Sequence, residues 1–263
     1  MDFKLQGKRA LVTGSTQGIG FAIAEGLARE GAAVVINGRD EAKTRDAAKK
    51  IGAATKAPVT AIAADVGKAA EVDKLLEKLG PVDILINNAG IFEPTPFFDI
   101  TDSEWLRFFE VNVMSGVRLS RALLPHMLEQ NGGRIIFISS ESGLNIPAEM
   151  IHYGMTKTAQ LAISRGLAEI VPGTGVTVNA VLPGPTLTEG VAEFLESLAK
   201  ERGLSVKEME VELIKSMRPS SLIKRMATPE EVANPVVYLC SEAASATTGA
   251  AIRVDGGVVR SIG

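Results

Sequence analysis

Short runs of apolar, often β-branched residues recur at 10–12, 33–36, 59–62, 82–86, 134–138, 176–181 and 250–254. Between them lie longer stretches in which apolar residues return every three or four positions. A brief unbroken apolar run suits a strand buried on both faces, and the longer spacing suits a helix with one buried side. Their alternation predicts βαβ units, and hence an α/β fold: a doubly wound sheet of seven parallel strands with helices on both faces. Between the first two runs, Ile19, Ile23, Leu27 and Ala28 keep helical spacing, and Gly31 supplies a stop.

The rhythm breaks once. From 188 to 225 no strand run occurs, and Leu195, Leu198 and Ala199, then Met209, Leu213, Ile214 and Met217, form two apolar stripes at helical spacing. An insertion late in a parallel sheet lies where substrate lids occur, and the same pattern also describes a plain pair of amphipathic surface helices. No linker, repeat or low-complexity tract divides the sequence, so residues 1–263 are read as one domain with a lid insertion.

Composition narrows the function classes. The 263 residues are 46% hydrophobic and 22% charged, ordinary usage for a folded domain. A net charge of −3 and a pI near 5.6 give no basic footprint for a nucleic-acid partner. No run approaches the ~20 apolar residues of a membrane span, and the first residues lack a signal peptide's apolar stretch. One cysteine, Cys240, and two histidines offer neither an internal disulfide nor a metal-ligand cluster. The expectation is a cytoplasmic protein with no metal, no membrane contact and no nucleic acid.

The first candidate chemistry follows the first strand run, in Thr13-Gly14-Ser15-Thr16-Gln17-Gly18-Ile19-Gly20. Glycines let a backbone approach a pyrophosphate closely, and the free amides of the helix that follows favour negative charge. The spacing is Gly-x-x-x-Gly-x-Gly rather than the commoner Gly-x-Gly-x-x-Gly of dinucleotide sites. The second run ends in Ile36-Asn37-Gly38-Arg39-Asp40. A carboxylate there would bind ribose hydroxyls and repel a 2′-phosphate, whereas Arg39 can pair with that phosphate. NADP(H) is favoured, NAD(H) stays open, and Asp40 could spoil the inference by pairing with Arg39.

The second candidate is Tyr153-Gly-Met-Thr-Lys157, with Ser140 thirteen residues earlier. Residues four apart share a helix face, so an ammonium can sit beside a phenol and lower its pKa from roughly 10 toward the working range. A phenol so tuned is a proton donor and acceptor. The neighbouring His152 falls on another face and is expected to flank the cleft. Glu141, next to Ser140, either contacts a polar substrate or, as the default expectation, is solvated or ion-paired, and Met150, Ile151 and Met155 either wall a pocket or pack.

Together these residues resemble the short-chain dehydrogenase/reductase family. The turn 13–20, Asp65-Val66, Asn87-Asn88-Ala89-Gly90, Asn112, Ser140, Tyr153-x-x-x-Lys157 and Pro183-Gly184 follow the family's order along the whole chain. The resemblance implies one Rossmann-like domain, a nicotinamide cofactor and hydride exchange with a carbonyl or secondary alcohol. It assigns Tyr153 as acid and base, Lys157 as the group that lowers its pKa and holds the nicotinamide ribose, Ser140 as a donor to the substrate oxygen, and Asn112 as support for a proton relay through water. Ser139 competes with Ser140, and the thirteen-residue spacing selects Ser140. Cofactor contacts are implied for Gly14, Ser15, Thr16, Gln17, Gly18, Ile19, Gly20, Asn37, Arg39, Asp65, Val66, Asn88, Ala89, Gly90, Tyr153, Lys157, Pro183, Gly184, Thr186 and Thr188. Asn87 and Asn88 can equally hold strand ends together.

The favoured substrate is a small to medium, partly apolar carbonyl compound or alcohol. Two alternatives are kept. A 3-oxoacyl thioester reductase would need a basic surface for an acidic carrier protein, which 126–131 and 169–173 do not supply. A non-catalytic dinucleotide sensor would be expected to have lost Ser140, Tyr153 or Lys157. The resemblance also implies a homotetramer or homodimer built on the helices around 112–128 and 152–170, with the tail 255–260 at a contact.

Overall fold

The computed structural model describes residues 3–262. Seven strands, β1 (Arg9–Val12), β2 (Ala33–Gly38), β3 (Val59–Ala63), β4 (Ile84–Asn87), β5 (Gly133–Ile138), β6 (Val176–Pro183) and β7 (Ala251–Val254), form one parallel sheet in the order β3-β2-β1-β4-β5-β6-β7. Every predicted run is a strand. The fourth starts later than its apolar run because Asp83 is a junction residue. Its carboxylate accepts from the Arg9 amide at 2.8 Å and its carbonyl from the Arg134 amide at 2.9 Å.

Helices α1 (Gly18–Arg29), α2 (Glu41–Thr55), α3 (Ala69–Leu79), α4 (Asp102–Phe109), α5 (Ser115–Glu129), α6 (Ile151–Glu169), α7 (Glu189–Arg202), α8 (Val206–Met217) and α9 (Pro229–Leu239) connect and cover the strands. Successive strand residues face opposite sides, and the two cores divide accordingly. Ala10 and Val12 pack with Ile23 and Leu27 of α1, Ile51 of α2 and Val236 of α9. Leu11, between them, packs on the other side with Leu75 of α3, Leu119 and Leu123 of α5, and Phe137. Gly31 has φ +90°, so α1 stops where the sequence predicts a glycine in left-handed backbone.

The segment from 188 to 225 holds the two helices α7 and α8 and then a non-helical stretch from Arg218 onward. Leu195, Ala199, Met209 and Ile214 are buried together with Met226 in a small core of their own, separate from the two sheet cores. Met217, the last member of the expected stripe, is exposed because α8 ends there and the chain turns at Arg218. Ser205 starts α8 with a reciprocal cap: its hydroxyl accepts from the Glu208 amide and Glu208 accepts from the Ser205 amide. The arm is therefore a unit with its own cohesion.

Candidate active site

The C-terminal ends of β1, β4, β5 and β6 all open on the same edge of the sheet. Strand order reverses between β1 and β4, and in open α/β sheets the crevice beyond such a reversal is where ligands bind. The glycine turn follows β1, Asn88 to Gly90 follow β4, Ser140 follows β5, and Pro183 to Thr188 end and follow β6. Asn88 ties the first two together: its Nδ2 donates to the carbonyls of Thr13 (2.9 Å) and Gly14 (3.0 Å). The Asn88 and Ala89 amides both donate to Thr13 Oγ1 at 3.0 Å. Asn88 thus acts through the turn's shape.

That turn fits a dinucleotide. Gly14 and Gly18 have φ near +60°, and a Cβ on Gly20 would fall inside van der Waals contact of the Gly14 carbonyl. The first amide of α1, on Gly18, donates to Glu189 Oε2 at 2.9 Å. This carboxylate stands in for an anionic oxygen at a helix N-terminus. Thr188 closes over the same glycine, its Cγ2 3.1 Å from the position a Cβ on Gly18 would take. Thr16 and Gln17 are partly or fully exposed, and Ile19 packs against the core. Ser15 is buried, with its hydroxyl donating to the Val12 carbonyl at 2.7 Å and its amide to the Asn37 carbonyl at 2.9 Å, so it holds the turn to the ends of β1 and β2.

At the end of β2 the space for an acidic side chain is filled. A Cβ on Gly38 would run into Thr16 Cγ2 and lie 2.9 Å from Thr44 Oγ1. Asp40 is the N-cap of α2, accepting from the Lys43 amide at 2.8 Å, so its carboxylate is engaged away from the pairing that would have disabled Arg39. Arg39 is exposed and forms no ion pair among the described residues. Asn37 departs from expectation. It is buried and donates to the carbonyls of Ile62 and Ala64, both at 3.1 Å, which makes its side chain a brace between β2 and the end of β3.

Other expected contacts divide the same way. Val66 is buried in the second core, and Asp65 accepts from the Gly67 amide at 3.1 Å. Gly90 lies beside the catalytic candidates: a Cβ there would sit 3.4 Å from Asn112 Oδ1 and 3.6 Å from Lys157 Nζ. Gly184, after Pro183, packs against the Asp255 backbone, and its amide donates to the Val254 carbonyl at 3.1 Å. Thr186 donates to the Gly184 carbonyl at 2.9 Å.

Asn112 sits in a π-helical turn, Glu110–Met114, between α4 and α5. Such turns are rare and frequent at functional sites. Its Oδ1 accepts from the Ile91 amide (2.7 Å) and its Nδ2 donates to the Ile91 carbonyl (2.9 Å) and Thr156 Oγ1 (3.0 Å). Lys157, buried on α6, donates to the Ile138 carbonyl (2.9 Å) and Gln160 Oε1 (3.2 Å). Gln160 Nε2 in turn donates to the Asn112 carbonyl at 2.6 Å. This side-chain amide occupies the link in which the resemblance implies water. An amide holds the lysine in place but does not pass a proton as water does. Ser139 Oγ donates to the Lys157 carbonyl at 2.8 Å and is committed to packing α6 on β5. Ser140 Oγ accepts from the Ser142 amide at 3.1 Å and is also hydrogen-bonded to the Tyr153 phenol, which joins the two hydroxyls.

The expected tuning of Tyr153 by Lys157 is not what this state displays. Burial pushes the phenol up to about 12, partly offset by its hydrogen bond with Ser140, while the Glu141 charge raises it further. Burial also pushes the Lys157 ammonium down to about 7. Loss of water disfavours both charged forms. The ammonium lies 5.5 Å from the centre of the Tyr153 ring, held toward Ile138 and Gln160. Phe92 stands edge-on to the same ring at 6.3 Å, and Leu144 and Ile146 are exposed nearby in sequence.

Several residues escape the sequence reading. His152 is buried against the rings of Phe108 and Trp105, a core residue and no part of the cleft's flank. Glu141 is buried and paired with Arg218, whose Nε donates to Glu141 Oε1 at 2.7 Å and whose Nη1 lies 3.4 Å from Glu149 Oε1. Gln160, Glu141 and Arg218 carry no motif. Only their distance from one another in sequence hides them, since helical spacing does place Gln160 one turn after Lys157.

Residues 8–199 match the family model described as short chain dehydrogenase. Over 263 residues the chain is 52% identical to the uncharacterized oxidoreductase YvaG of Bacillus subtilis (strain 168), with 100% of each covered. It is 37% identical to the D-beta-hydroxybutyrate dehydrogenase of Cupriavidus necator, covering 97% of this chain and 99% of that one. Among solved structures, the L-sorbose reductase of Gluconobacter frateurii complexed with NADPH and L-sorbose matches with a TM-score of 0.93 and 35% identity over 100% of both chains. A parallel seven-stranded sheet, a glycine turn at its reversal point and full-length likeness to such oxidoreductases have one common explanation: the chain belongs to the short-chain dehydrogenase/reductase family.

Proposed function

We propose that the protein is an NADP(H)-dependent oxidoreductase that exchanges a hydride with the carbonyl or secondary alcohol of a small to medium, partly apolar substrate. The observation that carries this reading is the convergence of Ser140, Tyr153 and Lys157 with the glycine turn on one edge of the sheet. A bound nicotinamide supplies or accepts the hydride at the substrate carbon. Gly14, Gly18 and Gly20 would hold its pyrophosphate, and Arg39 the 2′-phosphate.

Ser140 turns the proton it shares with Tyr153 to the substrate oxygen and so stabilises the negative charge that builds there during reduction. Tyr153 gives its proton to that oxygen and takes it back in oxidation. A phenol pushed up by burial keeps its proton until an oxyanion forms beside it. Lys157 uses two N–H donors on Ile138 and Gln160, and a third direction remains for a ribose hydroxyl. Phe92, edge-on to Tyr153, supports an apolar wall for the substrate.

NADP(H) is supported by the free Arg39, by Asp40 being engaged as a cap, and by Thr16 filling the space beside Gly38. A reducing cytoplasm is consistent with one buried, unpaired Cys240, and a homotetramer with the exposed apolar Leu106 and Phe109 on α4. No helix among the described residues is long and apolar enough to cross a membrane.

The test has two arms. Tyr153→Phe is expected to abolish NADPH-driven carbonyl reduction while NADPH affinity stays within about twofold, because the lost group meets the substrate and not the phosphates. Arg39→Ala is expected to weaken NADPH about tenfold or more and leave NADH nearly unchanged, the loss of one charge-assisted contact. Turnover by Tyr153→Phe would remove the assigned mechanism, and equal losses for both cofactors would remove the phosphate assignment.

A further inference from the structure

A closed set of hydrogen bonds joins Lys157 and Tyr153 to the π-helical turn at Asn112, and one of its members, Gln160, carries no motif. Gln160 lies one turn after Lys157 on α6 and is 2% exposed. Its Oε1 accepts from Lys157 Nζ at 3.2 Å, and its Nε2 donates to the Asn112 carbonyl at 2.6 Å. The neighbours fix which way this amide faces. An ammonium only donates and a carbonyl only accepts, so the oxygen must meet Lys157 and the nitrogen must meet Asn112. The set closes through Thr156, which receives Asn112 Nδ2 at 3.0 Å and donates to the Tyr153 carbonyl at 2.7 Å.

The turn at Asn112 is held from the side of α6. Its Ser115 amide reaches back five residues to the Glu110 carbonyl. The Val111 and Asn112 carbonyls each receive a side-chain donor at 2.6 Å, from Ser115 Oγ and from Gln160. Ile91 and Thr156 engage both ends of the Asn112 side chain. A proton route from Lys157 through Asn112 would therefore have to use the Asn112 carbonyl, and Gln160 already occupies it. An amide bridges a donor and an acceptor as water does, but its nitrogen cannot hand on a proton without becoming an imidic acid. Two acceptors, the Ile138 carbonyl on β5 and Gln160 on α6, set the direction of the ammonium. The charges of Glu141, after β5, and Arg218, after α8, act on Tyr153, whereas the Lys157 ammonium answers to burial.

We infer that Gln160 is a positioning residue of the hydride-transfer site: it takes the place of a relay water, fixes the direction of the Lys157 ammonium and closes the Asn112 carbonyl to proton transfer. The inference rests on the proposed hydride-transfer function. In reduction the Tyr153 O–H bond breaks as its proton joins the substrate oxygen, and a solvent proton entering by the cleft restores it. Tyr153 keeps part of its surface open to solvent, while Lys157 is 5% exposed, so the open side of the cleft is the shorter way in. Asn112 then serves through its hold on Gln160 and Thr156.

Three substitutions and one structure test this assignment. Gln160→Met keeps the length of the side chain but leaves the ammonium and the carbonyl unpaired, whereas Gln160→Ala opens a polar gap in which water can bond both. Single-turnover rates of NADPH-driven carbonyl reduction should fall about tenfold or more in Gln160→Met and about threefold or less in Gln160→Ala. Packing alone predicts the reverse order, since the longer side chain fills the space better. The fall in rate at high pH, where the ammonium loses its proton, should move about one pH unit lower in Gln160→Met, which lacks the acceptor, and should move higher in Gln160→Glu, whose carboxylate holds the ammonium. Circular dichroism and NADPH binding establish that each variant is folded. Turnover by Gln160→Met equal to or better than that of Gln160→Ala, or a pH profile unmoved in the folded variants, overturns the inference and leaves Gln160 a structural residue. If the variants do not fold, a crystal structure of the wild type with NADPH decides: Gln160 should bridge Lys157 and the Asn112 carbonyl, and a water bonded to that carbonyl in its place overturns the inference. A wild type that reduces no member of a broad carbonyl panel removes the hydride-transfer reading and this inference with it, whereas an active wild type with unaffected variants removes this inference alone.

Discussion

At the scale of single residues, Lys157 has the most to reveal in solution. Its ammonium is pushed from 10.5 down to about 7 in the folded protein, because burial strips water from the charge. Between those two values the unfolded chain holds a proton at this position that the folded chain has released. Stability therefore rises with pH across that window, by at most about 1.4 kcal/mol per pH unit. Denaturant titrations at pH 6.5 and pH 9 should show a gain in the wild type that Lys157→Met lacks. Parallel behaviour of the two proteins would mean that the ammonium keeps its ordinary proton affinity. The same residue marks what spacing can convey. Four positions on a helix correctly bring Lys157 near Tyr153, but the direction of the ammonium is set by Ile138 and Gln160, and the water-poor surroundings reverse the expected shift of the phenol.

Among elements, the turn between β1 and α1 is the least tolerant of change. Its path requires left-handed backbone at Gly14 and Gly18 and contact without a side chain at Gly20. Gly20→Ala should leave the sheet intact and weaken dinucleotide binding more than tenfold, since the added methyl pushes on the Gly14 carbonyl and so displaces the amides that face the ligand. Isothermal titration with NADPH, alongside an unchanged far-ultraviolet spectrum, checks this; tight binding by the variant would show that the turn can relax. Strands and turn were readable because their signals are local: apolar runs, glycines, and helical spacing. The π-helical turn at Asn112 and the pairing of Glu141 with Arg218 were not. The first depends on how α4 and α5 meet α6, and the second joins positions 77 residues apart.

For the whole molecule, the strand order decides where chemistry can happen. Reversal between β1 and β4 gathers the ends of four strands into one crevice, and the arm of α7 and α8 has a core that is its own. The arm is fastened at both ends, by Glu189 on the Gly18 amide and by Arg218 on Glu141 and Glu149. Sequence reveals the two helices of this arm through their stripes, yet not the fastenings, because exposed and charged residues carry no period. Of the residues expected at the cofactor, the Asn37 side chain braces β2 against the end of β3, and Val66 is buried in the second core.

The Glu189 contact has a consequence for the order of events on this surface. The Gly18 amide has one hydrogen to give, and a pyrophosphate and the Glu189 carboxylate want the same one. Under the proposed function, a dinucleotide bound at this turn would displace the Glu189 carboxylate and release the arm at its first end, leaving the Arg218 contacts with Glu141 and Glu149 in place. Glu189→Gln, which gives the amide a weaker competitor, should tighten NADPH and NADH alike by about two- to fivefold, the range expected for a carboxylate at a helix start. Hydrogen exchange should quicken in α7 on cofactor binding and stay level in α8. Equal responses along both helices, or weaker binding by the variant, would show that the arm travels as one piece.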